Sequence, residues 1–289
     1  MADMLAYANE KNFAVMAVNN CGMETFQASI DAAVQESSPV IVNISPKQMR
    51  ALLDPYPMIA SVKALAESVD VPVALNLDHG MTHEDITRAL KLGFTSVMFD
   101  GSSLPYERNR DITRYVVSIA HGRGVAVEAE LGHVGWASEG DGRTDDMYTK
   151  VEDAVRFIEE TGVDCLAVAV GTAHGIYPEG FVPTLDFERL CAIKEATGAP
   201  LVLHGGSGSG EENIRRAVKC GINKINVCSD VFAVGRDHIA RVISEDPKAD
   251  LLSMMMGTQE AMRDYIASYM RLIGSAGKAN YNLTNTSKE

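Results

Sequence analysis

Three histidines stand where β-rich apolar runs end, each followed by a glycine: His79 in LNLDHG (75–80), His174 in GTAHG (171–175) and His204 in LVLHGG (201–206). Three imidazoles around one open position form the ligand set of a catalytic zinc, with bonds of about 2.0–2.1 Å. One histidine beside a glycine is more often an ordinary loop residue; three at matched positions are not accounted for that way. No HExxH pair is present; His83 reads as a helix-start residue, and His121, His133 and His238 are given no ligand role, although His133 lies near the fifth strand end. A second signal is HGGSGSG (204–210), a glycine-rich turn running into a helix start. Such a turn lets backbone N–H groups approach an anion, and the helix dipole favours negative charge. No GK[ST] follows, so it is not a nucleotide P-loop, but INVCSD (225–230) ends the next run, and paired loops of this kind bind phosphate in barrels.

The elements that must position these groups repeat along the chain. Eight apolar runs occur at 13–19, 39–45, 72–78, 95–101, 125–131, 165–171, 200–206 and 223–229. Most are continuously apolar rather than alternating, as in parallel strands buried on both faces. Helical patterns lie between them. The stretch after Gly22 places Met23, Phe26, Ile30 and Ala33 on one face, and 82–93 opens with Thr82 and closes with Gly93. The 209–221 stretch has the same layout, from Ser209 to Gly221. Eight β runs alternating with helices predict a (β/α)8 barrel, with an open doubly wound sheet as the runner-up. No linker divides the chain, so residues 1–289 are expected to form one domain, 247–289 being a helical appendage and tail that includes helix 261–274. Each strand ends in a polar residue: Asn19, Ser45, Asp78 with His79, Asp100, Glu130, His174, His204, and Asn226 with Ser229. Core packing does not call for such a set, because each buried polar group needs a partner.

Lys and Arg total 26 against 39 Asp and Glu, a net charge of −13. That balance argues against nucleic acid or an anionic membrane as partner. The N-terminus lacks the apolar core of a secretion signal, and no run approaches the ~20 apolar residues of a membrane span. The five cysteines, Cys21, Cys165, Cys191, Cys220 and Cys228, show no CxxC spacing and are expected to be reduced thiols of a cytoplasmic protein.

LDHG (77–80), VEAELG (127–132), GTAHG (171–175), LVLHGGSG (201–208) and KINV (224–227), in that order, resemble the zinc-dependent class II ketose-bisphosphate aldolases, which include the fructose- and tagatose-bisphosphate aldolases. The resemblance runs from about Phe13 to about Asp230, with a weaker match in the C-terminal helices. It implies one Zn2+ per subunit on His79, His174 and His204, with Glu130 able to hold the metal in an alternate position. It implies Asp78 as catalytic acid/base. Gly175, Gly205, Gly206, Ser207, Asn226 and Ser229 would hold the dihydroxyacetone-phosphate end of a phosphorylated ketose, with Asn19 and Ser45 completing the substrate-binding set. The carbonyls of Gly175 and Gly205 would also bind a monovalent cation, Na+ or K+, and the protein would be a homodimer or homotetramer. In the implied chemistry, zinc stabilises the enediolate formed on aldol cleavage, Asp78 exchanges the C4 hydroxyl proton, Asn226 donates to the enediolate, and no lysine Schiff base is needed.

The chain departs from the family pattern at two places. After Gly135 the loop reads Trp136-Ala137-Ser138-Glu139-Gly140-Asp141, so the position of the base that removes the donor's C3 proton holds Ser138. Glu139, one residue later, is the candidate base, with Asp141 and Glu130 behind it. Trp136 would pack the loop or close over a larger or less charged substrate. The arginine that grips the distal phosphate in bisphosphate aldolases aligns near Leu252, with Lys248 a possible substitute, and Pro46-Lys47 replaces a glycine-rich turn after Ser45. Losing a bidentate phosphate clamp favours a ketose 1-phosphate over a 1,6-bisphosphate. The alternatives are a metal-dependent sugar-phosphate epimerase or isomerase, using Asp78 and Glu139 or Glu130 as opposed bases, a metallohydrolase, for which the glycine-rich phosphate cradle is not required, and, as the second class, a non-catalytic partner subunit of another aldolase. The retained Asp78 and three histidines argue against a non-catalytic subunit.

Overall fold

The computed structural model describes residues 1–51, 55–135, 137, 147–178 and 180–280. Its eight parallel strands close into a barrel in chain order: β1 (Val15–Asn19), β2 (Val40–Ile44), β3 (Val73–Gly80), β4 (Ser96–Phe99), β5 (Ala126–Leu131), β6 (Cys165–Val168), β7 (Leu201–Leu203) and β8 (Ile222–Val227). This is the (β/α)8 barrel that the alternating pattern predicts. The helices are α1 (Ala2–Lys11), α2 (Met23–Glu36), α3 (Pro46–Ala51), α4 (Pro55–Glu67), α5 (His83–Leu92), α6 (Tyr106–His121), α7 (Val151–Thr161), α8 (Phe187–Thr197), α9 (Glu211–Lys219), α10 (Ser229–Glu245) and α11 (Leu251–Leu272).

Two apolar zones hold the barrel. Outward-facing strand residues such as Val42, Val97, Val127, Val168 and Ile225 pack against the helical ring. At the N-terminal end, Met4, Leu5 and Ala8 of α1 pack on Val15, Ala17, Ile41, Ala74, Ala167 and Val202 and close the barrel floor. The middle of the barrel is polar. Asn76 Nδ2 donates to Asn43 Oδ1 at 3.0 Å, and Ser96 Oγ donates to Asn76 Oδ1 at 2.7 Å. These pairings satisfy groups that would otherwise be costly to bury.

Local signals set several boundaries. Thr82 Oγ1 accepts from Asp85 N, and an Asp85 carboxylate oxygen accepts from Thr82 N, so α5 starts on a capping box. Gly93, at φ 83°, ends it. The corresponding layout at α9 differs from expectation. Gly210, at φ 81°, is its N-cap and Cys220 its C-cap, while Ser209 Oγ donates to Gly205 O at 2.7 Å. The last helix begins at Leu251, ten residues before the expected 261, because the Asp250 side chain accepts from Ser253 N and caps it. Helix α11 then packs against α2 and α10. Among the described residues no helix is long and apolar enough to cross a membrane.

The expectation that all five cysteines are free thiols is corrected. Cys191 of α8 and Cys220, just after α9, form a disulfide, with Cα atoms 4.8 Å apart. They lie 29 residues apart in sequence, and only the packing of α8 beside α9 brings them together. Cys21, Cys165 and Cys228 are free.

Candidate active site

The strand ends converge at the C-terminal mouth, and β3 does so irregularly. Its pairing with β4 shifts register between Leu77 and Gly80, and His79 has φ 50°. A regular strand sends neighbouring side chains to opposite faces. The irregularity instead turns both Asp78 and His79 into the mouth, with Asp78 Oδ1 4.0 Å from His79 Nε2. A positive φ at a non-glycine residue is costly and concentrates at functional sites.

The three histidines meet there. Their ligating nitrogens lie within 4.8 Å of one another. His204 Nδ1 is 3.1 Å from His79 Nε2, close to the ~3.3 Å separating two ligands of a tetrahedral ion at about 2.0–2.1 Å. The opposite ring nitrogens are engaged by the protein: His79 Nδ1 by Asp100 Oδ2 at 2.8 Å, His174 Nδ1 by Val134 O at 3.1 Å, and His204 Nε2 by Glu128 Oε1 at 2.9 Å. Such outer partners fix ring tautomer and direction in metal sites. Glu130 Oε2 is buried, has no hydrogen-bond partner among the described residues and lies 3.6 Å from His204 Nδ1. His79, Asp100 and Glu130 form a second group able to hold an ion. The donor set therefore fits a divalent metal.

The electrostatics separate the ionisable groups. Burial alone would raise the Asp78 carboxyl, but the charges of His79, His204 and Lys224 and the hydrogen bond from Asn19 outweigh it and hold it low. Burial opposes the charge on His79, but Asp78, Asp100 and Glu130 push its pKa up to about 10. Burial, with His79 and His204 nearby, lowers His174 to about 3. Burial and the Asp100 charge raise Glu130 to about 8.

Asp78 is held from both sides. Asn19 Nδ2 donates to Oδ2 at 2.8 Å, and Asn226 Nδ2 donates to Oδ1 at 2.9 Å. The glycine-rich turn lies beside this group. Ser207 Oγ accepts from Cys228 N at 3.1 Å and from Asp230 N at 3.3 Å, tying the turn after β7 to the start of α10, whose first residue is Ser229. Gly205, at φ 67°, passes so close to the 171–175 loop that an added Cβ would stand 2.4 Å from Ala173 O. Gly206 N donates to Asn226 O at 3.0 Å, and Gly175 has φ 94°.

Some expected residues lie elsewhere. Ser45, just after β2, has its Oγ accepting from Gln48 N at 3.2 Å, which caps α3. Leu252 is 70% exposed in the first turn of α11, and Lys248 is exposed in the preceding turn. His83 begins α5 and faces Tyr115 OH at 3.3 Å, and His121 faces Asp164 at 2.9 Å. Trp136 and residues 138–146, with the candidate base Glu139, its alternative Asp141, and Ser138, lie outside the described residues.

Three contributors went unassigned in the sequence: Asp100, Glu128 and Lys224. Glu128 and Lys224 are fully buried, with Lys224 Nζ 2.7 Å from Glu128 Oε2. For Glu128 and Lys224 the available signal was a charge in the interior of a strand buried on both faces, which demands a counter-charge.

Comparison with known proteins fits this geometry. The family model for class II fructose-bisphosphate aldolase matches residues 1–278. A probable fructose-bisphosphate aldolase of Bacillus subtilis (strain 168) is 38% identical over 288 residues, covering 96% of this chain and 98% of that one. The fructose-bisphosphate aldolase of Geobacillus stearothermophilus gives the same identity and coverage. The crystal structure of the YdjI aldolase from Escherichia coli K12 superposes with a TM-score of 0.85 at 30% identity, over 96% of this chain and 98% of that one. The chain belongs to the class II fructose-bisphosphate aldolase family, a family of aldehyde-lyases.

Proposed function

We propose that the chain is a zinc-dependent aldolase that reversibly cleaves a ketose 1-phosphate or ketose 1,6-bisphosphate, of the fructose or tagatose type, to dihydroxyacetone phosphate and an aldehyde. The observation that carries the reading is the convergence of three imidazole nitrogens beside Asp78, with each ring's other nitrogen held by the protein. His79, His174 and His204 would hold the ion, with Glu130 as an alternate ligand. A divalent ion bound there supplies Lewis-acid stabilisation of the oxyanion charge that develops on cleavage.

The remaining steps belong to the chain's own side chains. Asp78, held ionised and positioned by Asn19 and Asn226, takes the proton from the C4 hydroxyl in cleavage and returns it in condensation. Asn226 directs its amide hydrogens toward the carboxylate and the space where the substrate oxygens lie. Glu139 is the candidate base for the C3 proton, followed by Asp141 and Glu130. The donor phosphate is assigned to Gly175, Gly205, Gly206, Ser207 and Ser229, at the glycine-rich turn and the N-terminus of α10, whose dipole favours an anion. Ser45 would contribute from the end of β2. On the motif match, the carbonyls of Gly175 and Gly205 take Na+ or K+, and the protein is a cytoplasmic homodimer or homotetramer.

The single-phosphate substrate is favoured. Leu252 stands where the distal-phosphate arginine is expected, and Lys248 lies exposed before α11. Cleavage of fructose 1-phosphate, fructose 1,6-bisphosphate and their tagatose counterparts by zinc-loaded protein tests this choice. A higher kcat/KM for the 1-phosphates supports it; a preference of tenfold or more for a bisphosphate overturns it.

A further inference from the structure

One buried ion pair spans the barrel beneath the metal-binding cluster. Glu128 of β5 and Lys224 of β8 are on strands that do not pair with each other, and both are fully buried. Lys224 Nζ is 2.7 Å from Glu128 Oε2 and donates to Asn226 Oδ1, also at 2.7 Å. The other carboxylate oxygen, Glu128 Oε1, faces His204 Nε2 at 2.9 Å. The remaining neighbour is Cys165, whose Sγ is 3.9 Å from Glu128 Oε2.

We propose that Glu128 and Lys224 are a single positioning device that fixes the direction of the Asn226 amide and the tautomer of His204 at once. The inference rests on the aldolase reading above. An ammonium group has only donors, so Asn226 must turn its oxygen toward Lys224. Its NH2 then faces the opposite way, donating to Asp78 Oδ1 at 2.9 Å and passing 3.3 Å from His204 Nε2. Without Lys224 the amide could rotate and present its oxygen to Asp78, a repulsive contact, and its hydrogens would leave the reacting centre. The other end works by the converse rule. An ionised carboxylate only accepts, so His204 carries its hydrogen on Nε2 and keeps Nδ1 as the basic nitrogen among the three ligands. Each charge also neutralises the other, which lets both stay in the interior. A buried pair of this kind contributes little stability beyond that of apolar residues of equal volume, so its effect should be read in geometry.

The test is a double-mutant cycle on the zinc-loaded, full-length protein. Lys224→Met is expected to lower kcat for cleavage by about 10- to 100-fold with little change in KM, and to cause no further loss in an Asn226→Ala background. A Lys224→Met loss that multiplies the Asn226→Ala loss in full overturns the proposal. Zinc affinity, measured by chelator competition, reads the other half without requiring activity. Glu128→Gln is expected to weaken it by about 10- to 100-fold and to shift the visible spectrum of the Co2+-substituted protein. Unchanged affinity and spectrum overturn that half. Glu128→Gln/Lys224→Met removes both charges together and guards against misfolding of a single variant. It should fold and retain the low kcat and altered Co2+ spectrum; wild-type values for both overturn the proposal. If wild-type protein cleaves no ketose phosphate, the aldolase reading fails, while the zinc and cobalt measurements still decide the role of Glu128.

Discussion

Asp78 and His79 are chain neighbours that face the same site, Oδ1 of one lying 4.0 Å from Nε2 of the other, because His79 has a φ of 50°. The shift in strand register there lets one strand end turn both a carboxylate and an imidazole into the mouth, which on the proposed reading are the acid/base and a metal ligand. Two separable effects follow. Asp78→Asn should lower kcat for cleavage by about 10²- to 10⁴-fold, because an amide cannot take the C4 hydroxyl proton. It should leave zinc stoichiometry near one per subunit. The variant should also be less stable, since Asn19 and Asn226 both donate to this side chain and an amide turns its own NH2 against one of them. Parallel zinc analysis and steady-state kinetics check the separation.

The three imidazoles should act as one ligand set. His204→Ala, His174→Ala and His79→Ala are each expected to lower bound zinc well below one per subunit in purified protein. Chelation of the wild type should abolish cleavage, with recovery on adding Zn2+. Metal binding to the folded chain alone also stabilises it, so chelation should lower Tm and readdition should restore it. Metal analysis with thermal melts checks all three variants.

Gly205 sits where the chain has no room for a side chain. Its φ of 67° disfavours other residues, and a Cβ would stand 2.4 Å from Ala173 O. Gly205→Ala should therefore cost about 1–3 kcal/mol of stability from backbone strain. It should also raise KM for the phosphorylated ketose by displacing the phosphate-binding turn. Thermal melts and substrate titration measure the two effects.

The cysteines should separate by reactivity. Cys191 and Cys220 are bonded, and Cys165 is buried, leaving exposed Cys21 as the fastest-reacting thiol. Burial, followed by the charge of Asp78, pushes the Cys228 thiol up to about 12. Since the thiolate is the nucleophile, alkylation of Cys228 should rise about tenfold per pH unit toward pH 12 and be slow at pH 8. Mass spectrometry after pulsed alkylation assigns each site. Closing a loop of 29 residues is worth about 3–4 kcal/mol in the chain-entropy account, so reduction should lower Tm measurably.

The barrel was legible because burial on both faces writes strands as continuous apolar runs, and each run here holds most of one strand. The residues that meet at the mouth were legible because polar residues at successive strand ends have no role in packing. Other features depend on tertiary geometry. The irregularity at His79 leaves no residue signature, since Asp-His-Gly reads equally well as a plain strand exit. Cys191 and Cys220 pair only because α8 and α9 are neighbours. Glu128 and Lys224 look like stray charges until the barrel closes and faces them across its interior. The early start of α11 turns on the Asp250 side chain accepting from Ser253 N.

Proton exchange of dihydroxyacetone phosphate, followed by NMR in deuterated buffer, tests the central claim without requiring the aldehyde to be known. The account predicts stereospecific loss of one C3 proton signal with zinc-loaded protein, abolished by chelator and restored by Zn2+. The absence of exchange by folded, zinc-loaded protein would contradict it.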